Sequence, residues 1–157
     1  MKKLLLTLFL LTAIIFGCKK YDEGPSFSFR SAKHRLYGTF KLVQYTVNGV
    51  DSLDHYYDSL SLYFCFRNDD DNHHDYCDMF GRRRDGGASY LNWSWELIDK
   101  NKILKIKSSG GNPDGCSSGP FRNYVLPEWI ILRLTNNELK MKTTFDGKEY
   151  LIDLNKL

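Results

Sequence analysis

The chain has 157 residues, 42% of them hydrophobic, 26% charged and 15% aromatic, with a formal net charge of +3. That length suits one compact domain with a short extension, and four prolines and twelve glycines exclude collagen-like and low-complexity chains. Ten Tyr, ten Phe and three Trp are too many for a disordered chain, and only the first sixteen residues form a sustained apolar run, which excludes a polytopic membrane protein.

Met1-Lys2-Lys3 is a short basic start, and Leu4 to Phe16 is apolar except for Thr7 and Thr12. A helix of that length rises about 20 Å, short of the roughly 30 Å hydrocarbon core. The segment therefore reads as a secretory signal and not as a spanning helix. It ends Ile14-Ile15-Phe16-Gly17-Cys18. A cysteine directly after a small residue at this place resembles the lipobox of bacterial lipoproteins, although Phe16 is bulkier than the residue often found there. The resemblance implies a diacylglycerol on the Cys18 sulfur, cleavage before Cys18, and acylation of its amine. An ordinary signal peptide is the plainer alternative. Acyl chains bury about 0.8 kcal/mol per methylene, so two or three make a durable anchor. Losing residues 1–17, which carry two lysines, takes the 22 basic residues to 20 against 19 acidic, formally +1. Such a near-neutral protein offers no general field for nucleic acid.

Tyr21 to Ala32 contains Gly-Pro and three serines without a clear period, and reads as a tether. Residues 18–31 (CKKYDEGPSFSFRS) resemble the start of uncharacterised Bacteroidota lipoproteins that carry a small lipocalin-like β-domain. Asp22-Glu23 near the lipidated cysteine is also similar to surface-export signals of that group. The resemblance divides the chain into a lipoprotein signal peptide (1–17), a lipid-anchored tether (18–33) and a lipocalin-like β-barrel domain (34–157). It places the protein at the outer membrane, on the periplasmic face or the cell surface.

From Tyr37 onward the dominant period is two. Tyr37 to Val47 alternates, with Phe40 and Leu42 on one side and Val43, Tyr45 and Val47 on the other; Asn48-Gly49 then signals a turn. Leu60, Leu62, Phe64 and Phe66 define a second strand, Tyr76 to Phe80 a weaker third, and Leu91, Trp93, Trp95 and Leu97 a fourth. Asp99-Lys100-Asn101 turns into a fifth, Lys102 to Lys107. Tyr124 to Leu134 is a sixth, with Pro127 expected at an edge, a bulge or the strand's beginning. Glu138 to Thr144 and Lys148 to Leu154 form the clearest hairpin, around Asp146-Gly147. A helix is expected only around Arg30 to Leu36. Eight antiparallel strands must hide their edges, and an up-and-down barrel does so; an open β-sandwich is the rival. Tyr37-Gly38-Thr39-Phe40 resembles the start of lipocalin-like domains, with Phe40 where the family usually has Trp. Residues 129–139 (WIILRLTNNEL) are similar to their late strands. These motifs mark fold, not chemistry.

Asn68 to Asp78 (NDDDNHHDYCD) gathers potential metal ligands, with Asp69, Asp71, His73 and His74 foremost. It breaks the EF-hand pattern, since the sixth position from Asp69 is His74 and not glycine. A zinc site would need a ligand from elsewhere, such as Cys116. The bland reading is a solvated hairpin loop whose aspartates are balanced by Arg82-Arg83-Arg84 across the same hairpin. Among Cys65, Cys77 and Cys116, the first two fall roughly opposite each other if strands two and three form a hairpin, so they are the preferred disulfide, ahead of Cys77–Cys116. Asp51-Ser52-Leu53 and Asp58-Ser59-Leu60 resemble the O-glycosylation sequon of Bacteroidota exported proteins, which implies glycan on Ser52 and Ser59. No nucleophile elbow or phosphate loop is present, so no catalytic residue and no cofactor are assigned. Trp93, Trp95, Trp129 and Phe64 are candidates to line a ligand cavity, although so many large rings favour a filled interior. The expected protein is a non-enzymatic lipoprotein, a binding or accessory module held to the membrane through Cys18. A carrier of a small hydrophobic ligand and a metal-dependent enzyme using the Asp/His loop are the alternatives. The partners implied are the membrane and either that ligand or another protein, not nucleic acid.

Overall fold

Two-residue turns set the meander. Asn48-Gly49 (φ 51° and 77°) and Asp146-Gly147 (φ 50° and 70°) both hold the left-handed backbone that tight hairpins need. Asp99, Lys100 and Asn101 do the same at φ 46°, 54° and 65°. The computed structural model describes residues 21–23, 30–53, 63–69, 74–82, 88–108 and 127–157. Among them lie one short helix, α1 (Ala32–Leu36), and nine strands. These are β1 (Gly38–Val47), β2 (Val50–Asp51), β3 (Tyr63–Asp69), β4 (His74–Arg82), β5 (Ala88–Ile98), β6 (Ile103–Ser108), β7 (Glu128–Leu134), β8 (Glu138–Phe145) and β9 (Lys148–Lys156).

Each strand from β3 to β9 pairs antiparallel with its neighbour in sequence. β1 then pairs on one edge with β9, from Phe40↔Lys156 to Val47↔Tyr150, and on the other with β3, from Gly38↔Phe66 to Lys41↔Tyr63. Eight strands thus close into an antiparallel barrel, and the open sandwich is excluded. The two-residue β2 merely continues β1's second edge past β3.

Alternation turns one side chain in two inward. Phe64 and Phe66, Cys77 and Met79, Trp93 and Trp95, Leu104 and Ile106, Leu139 and Met141, and Tyr150, Ile152 and Leu154 join one buried cluster. The pattern is corrected at β1. There Leu42 pairs with Leu154 and Gln44 with Asp153, so Val43 is an extra residue in a bulge. Val43 is 42% exposed, while Tyr45 is buried on the same side as Phe40 and Leu42, not opposite them. β7 carries a second bulge at Leu132, between Ile131↔Met141 and Arg133↔Lys140. Pro127 immediately precedes β7, where its missing amide costs no ladder bond.

One end of the barrel is sealed. The hairpin turns β5–β6 and β7–β8, the start of β1 and the end of β9 all lie there, and α1 crosses beneath them. Ser31 caps α1 by accepting a hydrogen bond from the His34 amide (3.2 Å). Ala32, Arg35 and Leu36 form its buried face, the i, i+3, i+4 spacing of a helix stripe. Arg35 Nη1 donates to the Leu134 carbonyl at 2.5 Å, and its guanidinium lies 5.7 Å from the Tyr21 ring centre. Tyr37 stacks edge-on against Trp95 and donates to Asp75 Oδ1 (3.1 Å), which also pairs with Lys33 through Oδ2 (2.8 Å). Gly38 adopts φ +130°, and a Cβ there would run into Lys156 Cε. That lysine's amine lies 5.4 Å from the Phe40 ring and donates to the Arg35 carbonyl (3.2 Å). The lysine can swing aside, but the backbone strain of a non-glycine residue would stay.

Two further expectations change. Tyr21, placed in the tether, is 2% exposed and belongs to the core cluster. Arg82 ends β4 at the opposite end from the Asp69↔His74 pair, eight residues or about 26 Å along the strand. The backbone thus places Arg82 far from Asp69 on the hairpin; Arg83, Arg84 and Asp71 lie outside the described residues.

The β1 bulge supplies a test. Deleting Val43 leaves Phe40, Leu42, Tyr45 and Val47 all inward, so urea unfolding should record a loss of about 1 kcal/mol or less. Deleting Leu151 from unbulged β9 turns Ile152 and Leu154 outward and Asp153 inward, and should unfold the domain. If both deletions unfold the protein alike, the bulge is misplaced.

Candidate functional site

The barrel interior has two unlike halves. The half above α1 is a packed floor of Leu36, Phe40, Leu42, Phe66, Leu104, Leu134, Leu139 and Leu154. Phe40 meets Phe66 edge-on at 5.8 Å, and Phe66 meets Trp95 in the same way at 5.8 Å. Each such ring pair contributes about 0.5–1.5 kcal/mol beyond its burial. The Trp95 indole donates to the Tyr76 carbonyl (2.9 Å). Trp95 is thereby engaged in the floor and the seal.

The opposite half is the mouth. The turns β1–β2 and β8–β9 lie at this end, and β3 begins, β4 ends and β5 begins there. Tyr45, Phe64, Met79, Trp93, Trp129, Thr143 and Tyr150 face inward here. Cross-strand register pairs four of them directly, Phe64↔Met79 and Thr143↔Tyr150, and sets Tyr150↔Val47 beside Tyr45. The Tyr45 and Tyr150 rings lie 6.1 Å apart, and Thr143 Oγ1 donates to the Glu128 carbonyl (2.8 Å) beside Trp129. Phe64, Met79 and Trp129 are fully buried; Trp93 (3%), Thr143 (5%) and Tyr150 (5%) retain slight exposure. The mouth is thus an apolar, largely aromatic surface with a few hydroxyls, the composition of a small-molecule site.

Of the residues singled out in the sequence, Phe64, Trp93 and Trp129 share the mouth half, while Trp95 lies lower. Tyr45 was hidden by the Val43 bulge; Tyr150 and Thr143 were legible as one strand face but carried no chemical signature. Asp69 and His74 form the last backbone pair of the β3–β4 hairpin, at the sealed end, and Asp71 and His73 lie outside the described residues. Among the described residues no three His, Cys, Asp or Glu side chains are placed to hold a metal. Asp75 serves Lys33 and Tyr37, and the nearly buried Asp78 carboxylate pairs with Arg67 at 2.7 Å.

The expected Cys65–Cys77 disulfide is not formed; both are free thiols. Cys65 pairs with Asp78, and Cys77 with Phe66, one residue off the expected register. Cys77 therefore points inward with Phe66, while Cys65 points out. Burial, with smaller contributions from Asp78 and Cys65, pushes the Cys77 thiol well above its ordinary range. Ser52 lies just after β2 and donates to the Val50 carbonyl (3.1 Å). Ser59 and Cys18 fall outside the described residues.

On the outer face Tyr63 and Phe80 stack at 5.2 Å, and Phe80 is an exposed ring on the same side as Val43. An open groove of about 390 Å³ lies outside the sealed end, lined by Asn137, Glu138, Asn155, Lys156 and Leu157.

No protein-family model and no curated protein matches the sequence. Solved structures do resemble the barrel. Japanin from Rhipicephalus appendiculatus, solved bound to cholesterol, has a TM-score of 0.51 at 10% identity, covering 82% of this chain and 80% of that one. A lipocalin-like protein from Bacteroides uniformis has 0.47 at 16% identity, covering 78% of this chain and 99% of its own. A de novo designed fluorescence-activating β-barrel has 0.48 at 12% identity, covering 82% and 100%. The likeness is one of fold: a closed, lipocalin-like antiparallel barrel.

Thiol chemistry tests the register. Cys65→Ser should leave stability within about 0.5 kcal/mol, while Cys77→Ser places a hydroxyl in the core and should cost about 1–3 kcal/mol. In the native protein a thiol reagent should modify Cys65 and spare Cys77. Equal costs, or a disulfide between the two by peptide mapping, would refute the pairing.

Proposed function

We propose that the protein is a non-enzymatic, lipid-anchored module at the outer membrane that takes a small apolar molecule at the barrel mouth. The observation that carries the reading is the unequal interior: an aliphatic and aromatic floor sealed by α1, and at the other end an inward cluster of rings in which Tyr45, Tyr150 and Thr143 add hydroxyls. A ligand on this surface is shallow, because the 0% exposure of Phe64, Met79 and Trp129 leaves no void beside them. Its apolar body would rest on the rings, with the Tyr and Thr hydroxyls orienting a polar end. That Japanin, whose fold resembles this one, was solved bound to cholesterol supports the class of ligand. The Cys18 anchor is supported by the lipobox-like end of the signal segment. A second reading, a protein-binding accessory role, is favoured by the stacked Tyr63–Phe80 pair on the outer wall.

A brominated fatty acid and a brominated sterol, which quench indole emission on contact, distinguish the two. Saturable quenching is expected in the wild-type protein. It should persist in Trp95→Phe and be lost in the Trp93→Phe/Trp129→Phe double variant, with thermal unfolding verifying the fold of each. Absence of saturable quenching with both probes would overturn the ligand reading. Separately, Cys18→Ser should move the protein from the membrane to the soluble fraction; retention in membranes would overturn the anchor.

A further inference from the structure

Resting on the lipid anchor proposed above, we infer that the sealed end of the barrel faces the bilayer and the mouth faces away from it. The reason is the length of chain between the anchor and the first docked residue. Tyr21 is buried in the core cluster, and its hydroxyl donates to the Asn101 carbonyl in the β5–β6 turn (3.1 Å). Its ring lies under the Arg35 guanidinium of α1. Glu23 fastens the next turn of chain to the β7–β8 wall. Its amide donates to the Leu132 carbonyl (2.8 Å), its carbonyl accepts from Arg133 Nε (3.0 Å), and its carboxylate meets Lys140 (2.9 Å) and Arg133 (3.4 Å).

Only Lys19 and Lys20 stand between Cys18 and Tyr21. Three residue steps span at most about 11 Å. The nine residues of β9, tilted as barrel strands are, span about 22 Å along the axis. The acyl chains therefore cannot reach the mouth rim; they enter the membrane beside α1 and the β5–β6 turn. A flexible tether of about fifteen residues, as the sequence suggested, would reach about 20 Å and leave the orientation free. Docking of Tyr21 and Glu23 removes that freedom. The exposed Lys100 and Lys102 of the same turn, beside Asp99, and the leash's own two lysines then lie at headgroup level. A mouth turned outward receives its ligand from the aqueous side or from a facing protein, not by extraction from the membrane that anchors it.

The test uses the full-length lipidated protein in phosphatidylethanolamine/phosphatidylglycerol vesicles carrying a nitroxide-headgroup lipid. A fluorophore is placed through Lys100→Cys at the sealed end or Lys148→Cys at the mouth, in a Cys65→Ser/Cys77→Ala/Cys116→Ser background with the fold verified by thermal unfolding. With about 20 Å between the two turns along the axis, quenching should be about threefold stronger at position 100. Inserting about twelve Gly/Ser residues between Lys20 and Tyr21, about 20 Å of flexible reach, should abolish the difference. Protein that fails to float with the vesicles overturns the anchor and the orientation with it. Flotation with equal or reversed quenching overturns the orientation alone.

Discussion

Everything in this molecule depends on β1 serving two partners at once. Its Gly38–Lys41 half bonds to β3 while its whole length from Phe40 to Val47 bonds to β9, and that double duty turns a meander into a closed wall. An antiparallel sheet of this length left open would present two rows of unpaired amides and carbonyls, sites for edge-to-edge association. The extra residues at Val43 and Leu132 bend and twist their strands locally, as bulges do. The inward side chains follow from the geometry. Eight strands enclose a space just wide enough to be filled by side chains or to admit one small ligand, and here the aliphatic and aromatic residues fill the lower part.

Closure makes the two ends unequal. α1, Tyr21 and Arg35 occupy one end, so one end of the barrel is plugged by chain from outside the sheet. Arg35 is the most exacting part of that seal. It is a buried cation held by a carbonyl and an aromatic face, with Tyr21 beneath it; burial raises the Tyr21 phenol, whose hydroxyl donates to Asn101. A seal of this kind joins the chain around Tyr21 to the interior of the domain. The packing of the floor and the docking of Tyr21 are consequently consequences of one arrangement.

Much of this was legible in the residues, and what was not has identifiable causes. The β8–β9 hairpin reads directly, because Leu139, Met141 and Thr143 pair with Leu154, Ile152 and Tyr150 with no irregularity. Period-two patterning therefore placed strands and faces well wherever no extra residue intervened. It failed at Tyr45, since one inserted residue leaves composition unchanged while reversing every face beyond it. The same sensitivity undid the cysteine pair: the strands were correctly matched, but a one-residue shift separates two thiols onto opposite faces. β4 looked weak because Tyr76 and Phe80, on its outer side, are aromatic, so apolar residues occupy both faces of the strand. Tyr21 and Glu23 lie in a stretch with no period, and their contacts are to residues about a hundred positions later; no local pattern encodes them. For the candidate site, the rings of Phe64, Trp93 and Trp129 were conspicuous by type, whereas the division into floor and mouth exists only once the barrel is closed.

Native-state hydrogen exchange along β1 and β9 addresses closure most directly. If the sheet is closed, the paired amides between Leu42 and Val47 and between Tyr150 and Leu154 should exchange only through global unfolding, as slowly as those of β8. Exchange of either strand at the rate of a fraying edge, with the other strands still protected, would contradict the closed barrel and the one-ended molecule built on it.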